Sequence, residues 1–127
     1  LPLRQAEREA THGADHVGVG SMAFALGQIL FKEGQVDDAG EAFSRALSIR
    51  GSIRNGSSLE AGKDQLWLGR VRLEQGRVDE ASKLLHRSLE LLRRLLPPGH
   101  PDLLAAEAEV ERARDFTGAP GAGPEEA

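Results

Sequence analysis

Cysteine and tyrosine are absent from the 127 residues, and tryptophan and methionine occur once each. Without cysteine there is no disulfide framework and no thiolate metal site, which fits a reducing compartment and a cytoplasmic protein. Aromatic residues make up only 4% of the chain, so Leu, Ala, Val and Ile must build any core. Long apolar runs are missing as well. The longest, Met22 to Phe31, is interrupted by Gln28 and falls far short of the ~20 residues a membrane span needs. No secretory signal is visible. Charge of one sign is not in excess. The formal net charge is −4, and a local cluster such as Arg93-Arg94 is too short to make a basic nucleic-acid footprint. The chain opens on Leu1 and in mid-pattern, as expected of a processed product or an excerpt of a longer repeat protein. Catalytic signatures are lacking too. There is no G-x-S-x-G, no phosphate-binding loop and no H-E-x-x-H, and Gly13 and Gly18-x-Gly20 follow no strand. No enzyme, cofactor or catalytic residue is expected.

What is present is an internal echo. A shift of 42 residues carries Gly20, Leu26, Gly27, Gly34 and Val36 onto Gly62, Leu68, Gly69, Gly76 and Val78. The same shift carries Asp37, Ala39, Arg45 and Leu47 onto Asp79, Ala81, Arg87 and Leu89. A fixed period of this size marks stacked units, none of which can bury its apolar face alone.

Helical spacing fills the period. Leu3, Ala6 and Ala10 suggest the end of a helix over 1–11, and His12 to His16 reads as a turn. Val19, Met22, Ala23, Leu26, Ile29 and Leu30 define a helix from about 17 to 32. Gly34 stops it in a left-handed cap. Asp37 opens a second helix reaching about Arg50, with Ala39, Ala42, Phe43, Ala46 and Leu47 on one face. Gly51 to Gly56 reads as a loop, and Ser57-x-x-Glu60 has the capping-box form. A third helix runs to about Glu74, and a fourth runs from Asp79 to about Leu96, ended by Pro97-Pro98-Gly99. Pro101 starts a fifth that reaches about Phe116. The expected layout is therefore a repeat domain over 1–116 and a disordered, Gly/Ala/Pro-rich tail over 117–127. The domain comprises a partial helix at 1–11, repeats at 17–50 and 58–96, and an unpaired helix at 101–116. The fold class is all-α, an α-solenoid of antiparallel helix pairs.

Within each period the pattern resembles the tetratricopeptide repeat. Leu26-Gly27, Gly34, Ala39, Phe43 and Ala46 fall on that motif's positions in the first unit. Leu68-Gly69, Gly76, Ala81 and Leu85 do so in the second, where Ser88 replaces the last Ala. The length of the period, with Gly13-Ala14-Asp15-His16, Gly99-His100-Pro101-Asp102 and Arg87-x-Leu89-x-Leu91, is similar to the kinesin-light-chain type. That type carries paired asparagines on each first helix. Here the positions hold Phe24-Ala25, Leu66-Trp67 and Ala108-Glu109, so its grip on a peptide backbone is not carried over. Nor do Phe24/Leu66 and Gln28/Arg70 supply the Lys and Asn of the clamp that some tetratricopeptide domains close on chaperone tails.

The resemblance implies a right-handed superhelix whose first helices line a concave groove for a protein partner. The expected groove residues are Phe24, Gln28, Phe31, Lys63, Leu66, Trp67, Arg70 and Arg112. Gln28, Arg70 and Arg112 stand one period apart. They could form a ladder for an acidic peptide, since guanidinium binds carboxylate bidentately. They could also form a solvated face, with Arg70 paired to Glu74 and Arg112 to Glu109. Trp67 lies about 200° around the helix from the motif's usual aromatic position, which suits either an interface anchor or a filler between units. These side chains are expected to lie outside the packing seam, so truncating them should alter binding rather than folding. Neither nucleic acid nor membrane is an expected partner. His12-x-x-x-His16 has metal-ligand spacing on a helix but falls in a turn, so no metal is expected. The alternative to a groove-binding module is a structural or regulatory segment. It would self-associate through its repeat ends or pack on another domain of a larger protein.

Overall fold

The computed structural model describes residues 14–52 and 59–118. They form five helices and no strand: α1 (Ala14–Lys32), α2 (Val36–Ser52), α3 (Leu59–Glu74), α4 (Val78–Leu95) and α5 (Pro101–Gly118). Helix α1 pairs with α2, α3 with α4, and α5 stacks on the second pair, giving an all-α tetratricopeptide-like solenoid. No helix among the described residues is long and apolar enough to cross a membrane. The partial helix read over 1–11, the Ser57 capping box and the tail beyond 118 lie outside the described residues.

Both turns within a pair are the same object. At the end of α1, the Gly34 N–H bonds the Phe31 carbonyl at 3.1 Å, and the Gln35 N–H reaches back to Leu30 at 2.9 Å. At the end of α3, the Gly76 N–H bonds Leu73 at 3.0 Å and the Arg77 N–H bonds Arg72 at 2.8 Å. This double closure requires a left-handed residue at its centre, and Gly34 and Gly76 sit at φ 84° and 79°. Asp37 and Asp38 in α2, and Asp79 and Glu80 in α4, then occupy the first turn of the second helix, where carboxylates suit the dipole.

Three boundaries differ from the sequence reading, the first being that α5 continues through Thr117 and Gly118, which were expected to open the tail. Ala14 to His16 are helical rather than part of a turn. The corresponding stretch before α5 is halted by Pro97-Pro98-Gly99. Here no proline interrupts Ala14 to His16, so the helix runs through them. Gly51 and Ser52 also remain in α2 instead of opening the loop.

The glycine echo explains the close pairing. A Cβ placed on Gly27 would lie 2.7 Å from the Phe43 ring, and one on Gly69 would lie 2.5 Å from Leu85. Phe43 and Leu85 are both fully buried and sit one period apart. Each first helix thus provides a backbone floor into which the second helix inserts one large apolar side chain. Leu85, Leu89 and Leu92 go on to meet Leu103, Ala106 and Val110 of α5. Ser88 replaces the small apolar residue of the first unit for a visible reason: its hydroxyl donates to the buried Gly62 carbonyl at 2.7 Å.

The start of α5 assigns a role to the turn histidine. The backbone N–H of Asp102 donates to His100 Nδ1 at 3.1 Å, and the Leu104 N–H bonds the His100 carbonyl at 2.9 Å. The imidazole therefore closes the helix start, as a capping side chain does.

Candidate functional site

The first helices α1, α3 and α5 lie side by side, and the residues expected to line a groove come from them. The centre of this face is aromatic. Trp67 stacks on Phe43 with centroids 5.6 Å apart at 30°. It meets Phe31 edge-on at 5.8 Å and Phe24 edge-on at 6.3 Å. Phe24 in turn meets Phe43 at 5.6 Å. Four of the five aromatic rings suitable for such packing therefore converge where unit one meets unit two. Trp67 fills the gap between successive units while remaining half-buried. It is consequently part of the packing, not outside the seam, because its indole supplies the surface on which Phe43 of the preceding unit rests.

Arg70 and Arg112 are neutralised within the chain. Arg70 Nε donates to Glu109 Oε2 at 3.1 Å, and its guanidinium lies 4.6 Å from the Trp67 ring centroid. Arg112 Nη2 donates to Glu74 Oε2 at 2.6 Å, and Nη1 stands 3.6 Å from the other Glu109 oxygen. These bonds tie α3 to α5. Planar guanidinium suits both the carboxylates and the indole face. An acidic ligand would therefore compete with Glu74 and Glu109 for the charge of these two guanidinium groups. The Arg112–Glu109 pair was visible in the sequence as an i, i+3 neighbour. The Arg70–Glu109 and Arg112–Glu74 pairs, 39 and 38 residues apart, had no local signal.

The remaining expected residues separate by depth. Gln28, Phe24 and Phe31 are half-buried on one stripe of α1. Lys63 is half-buried, with Nζ 5.9 Å from the Phe24 centroid. It borders a small pocket of about 150 Å³ between α1 and α3, shared with Ser21, Phe24, Glu60 and Asp64. Leu66 is only 2% exposed and packs against Leu85 and Leu89 in the core, so it lines no accessible surface. Phe116, outside the expected set, is 44% exposed and lies 5.6 Å from the Arg112 guanidinium. Among the described residues no group of three or more His, Asp or Glu could hold a metal. His12 is not among them.

A hydrogen-bonded line along the turn edge joins the units a second time. Gln75 Nε2 donates to Asp37 Oδ1 at 2.7 Å, and Arg72 donates to Gln75 Oε1 at 2.7 Å and to Glu80 at 2.9 Å. Sequence reasoning passed over these residues because each looks like an ordinary solvated turn position.

Residues 68–102 match the tetratricopeptide repeat family. The matched segment starts at the Leu68-Gly69 pair, passes through the Gly76 turn, Ala81 and Leu85, and ends just inside α5. Tetratricopeptide repeats generally mediate protein–protein interaction and are typically non-enzymatic modules. A search of curated proteins finds no significant match.

Proposed function

We propose that this chain is a protein-interaction module that holds an extended segment or helix of a partner protein on its first-helix face. The observation that carries the reading is the convergence of Phe24, Phe31 and Trp67, all half-buried, at the junction of two units. Half-exposed rings held in a rigid cluster give a large contact area with little side-chain entropy to lose, the usual basis of an interface anchor. The partner is an apolar or aromatic-anchored segment. Acidity is a secondary preference, because an acidic residue would have to compete with Glu74 and Glu109 for the two arginines. The period of 42 residues and the Gly99-His100-Pro101-Asp102 turn support a kinesin-light-chain-type repeat, though one without that type's paired asparagines.

Gln28 tests the proposal because it lies between Phe24 and Phe31 on the same stripe of α1 and is not in the core. Peptides are selected from a random displayed library on the wild-type chain and titrated against Gln28→Arg. We expect the variant to keep its melting temperature and to lose at least about tenfold in affinity, the scale of a blocked anchor site. Selected peptides that bind Gln28→Arg as tightly as wild type would remove the aromatic face from the binding surface.

A further inference from the structure

Each first helix carries one stripe at the same four positions. In α3 it is Ala61, Asp64, Leu68 and Val71, all buried. One period later, in α5, it is Leu103, Ala106, Val110 and Ala113, again all buried. These stripes are covered by the second helix of the preceding unit, α2 in one case and α4 in the other. One period earlier, in α1, the same positions hold Val19, Met22, Leu26 and Ile29. There Met22 is 73% exposed, Leu26 51% and Ile29 54%. Val19, Met22 and Leu26 of this stripe, together with Ala42 of α2, wall an apolar trough of about 840 Å³.

The two ends of the array are unlike. At the position where Gly27 and Gly69 admit a following helix, α5 has the exposed Glu111, and Ala108 and Asp115 flank it. That face also carries the exposed Leu104, but Glu111 and Asp115 place two carboxylates on it, so in a head-to-tail stack of copies the apolar trough would meet a charged face. A contact between two identical ends is different. It closes about a two-fold axis and requires a patch that complements itself. Along the rim of the trough, α2 presents Asp38, Glu41 and Arg45, all exposed. Two antiparallel copies of this row bring each arginine against the other's acidic pair.

We propose that the α1–α2 end is a self-association surface. Two copies of this chain pack Val19, Met22, Leu26 and Ile29 against the same stripe of the other, with Arg45 of each facing Asp38 and Glu41 of the other. This goes beyond groove binding and does not depend on it, since the trough and the aromatic face use different residues.

The test is the mass of the full 127-residue chain by sedimentation equilibrium. Wild type is expected to be a dimer, and Leu26→Glu a monomer of unchanged helicity by circular dichroism. Arg45→Glu and Glu41→Arg should each weaken self-association about tenfold or more, because like charges then face each other. Mixing the two variants should restore a dimer containing one of each, which a merely misfolded variant cannot do. A monomeric wild type overturns the proposal, whether residues ahead of α1 or a different protein covers the stripe. A dimer indifferent to Leu26→Glu, or charge variants that fail to pair on mixing, overturns it equally.

Discussion

Gly69→Leu is expected to lower the melting temperature by roughly 15 °C, corresponding to about 3 kcal/mol in a domain of this size. A Cβ at this position already falls 2.5 Å from Leu85 Cδ2 and 2.6 Å from its Cγ. The Cγ is not a free chain end, and Leu85 is fully buried, so the second helix must move as a whole. The gain in helix propensity from replacing glycine is about 1 kcal/mol and does not offset that displacement. Gly18→Leu is the matched control. Gly18 is also helical, but nothing lies within 4 Å of its added Cβ, so only the propensity gain applies and stability should hold or rise. Thermal denaturation followed at 222 nm reads both variants. If they melt together, Gly69 is not the contact point of its pair.

Trp67→Ala is expected to cost about 3 kcal/mol, the lower end of the range for removing a large aromatic from a packed site. The indole stacks on Phe43, meets Phe24 and Phe31 edge-on, and carries the Arg70 guanidinium on its surface. It is therefore a large part of the joint between the first and second pairs. In a repeat array each unit is stabilised by its neighbours, so a weakened joint also lowers cooperativity. Chemical denaturation should show a reduced midpoint and a shallower slope. Arg70→Ala should lose only about 1 kcal/mol or less, because its pair with Glu109 is partly solvated. A Trp67→Ala loss below about 0.5 kcal/mol, the level of an ordinary surface change, would place the ring at the periphery.

The fold was legible because it is periodic. Gly27, Gly69, Gly34 and Gly76 each answer to a backbone requirement, a close approach or a left-handed turn, and such requirements recur with the unit that imposes them. Helix limits were less legible where no residue forbids continuation, as at Ala14 to His16 and at Gly51-Ser52. The face of the first helices was legible in composition but not in state. Arg70 and Arg112 were readable as a ladder one period apart. Their bonds to Glu109 and Glu74 depend on how α3 lies against α5, a superhelical quantity that no local spacing encodes. The same holds for Trp67, whose neighbours Phe24, Phe31 and Phe43 come from the preceding unit. Leu66 was displaced from the groove for a related reason: at its position the helix already turns toward Leu85 and Leu89.

The central claim is that one unit is written twice, with Gly27 against Phe43 and Gly69 against Leu85. A double-mutant cycle on each pair tests it most directly. Gly27→Ala is combined with Phe43→Leu, and Gly69→Ala with Leu85→Ala, so that the second change makes room for the first. The crossed combinations, Gly27→Ala with Leu85→Ala and Gly69→Ala with Phe43→Leu, serve as controls. The matched pairs should show coupling of about 1 kcal/mol or more, and the crossed pairs should add within about 0.5 kcal/mol. Additive matched pairs, or crossed pairs that couple as strongly, would contradict the repeat register.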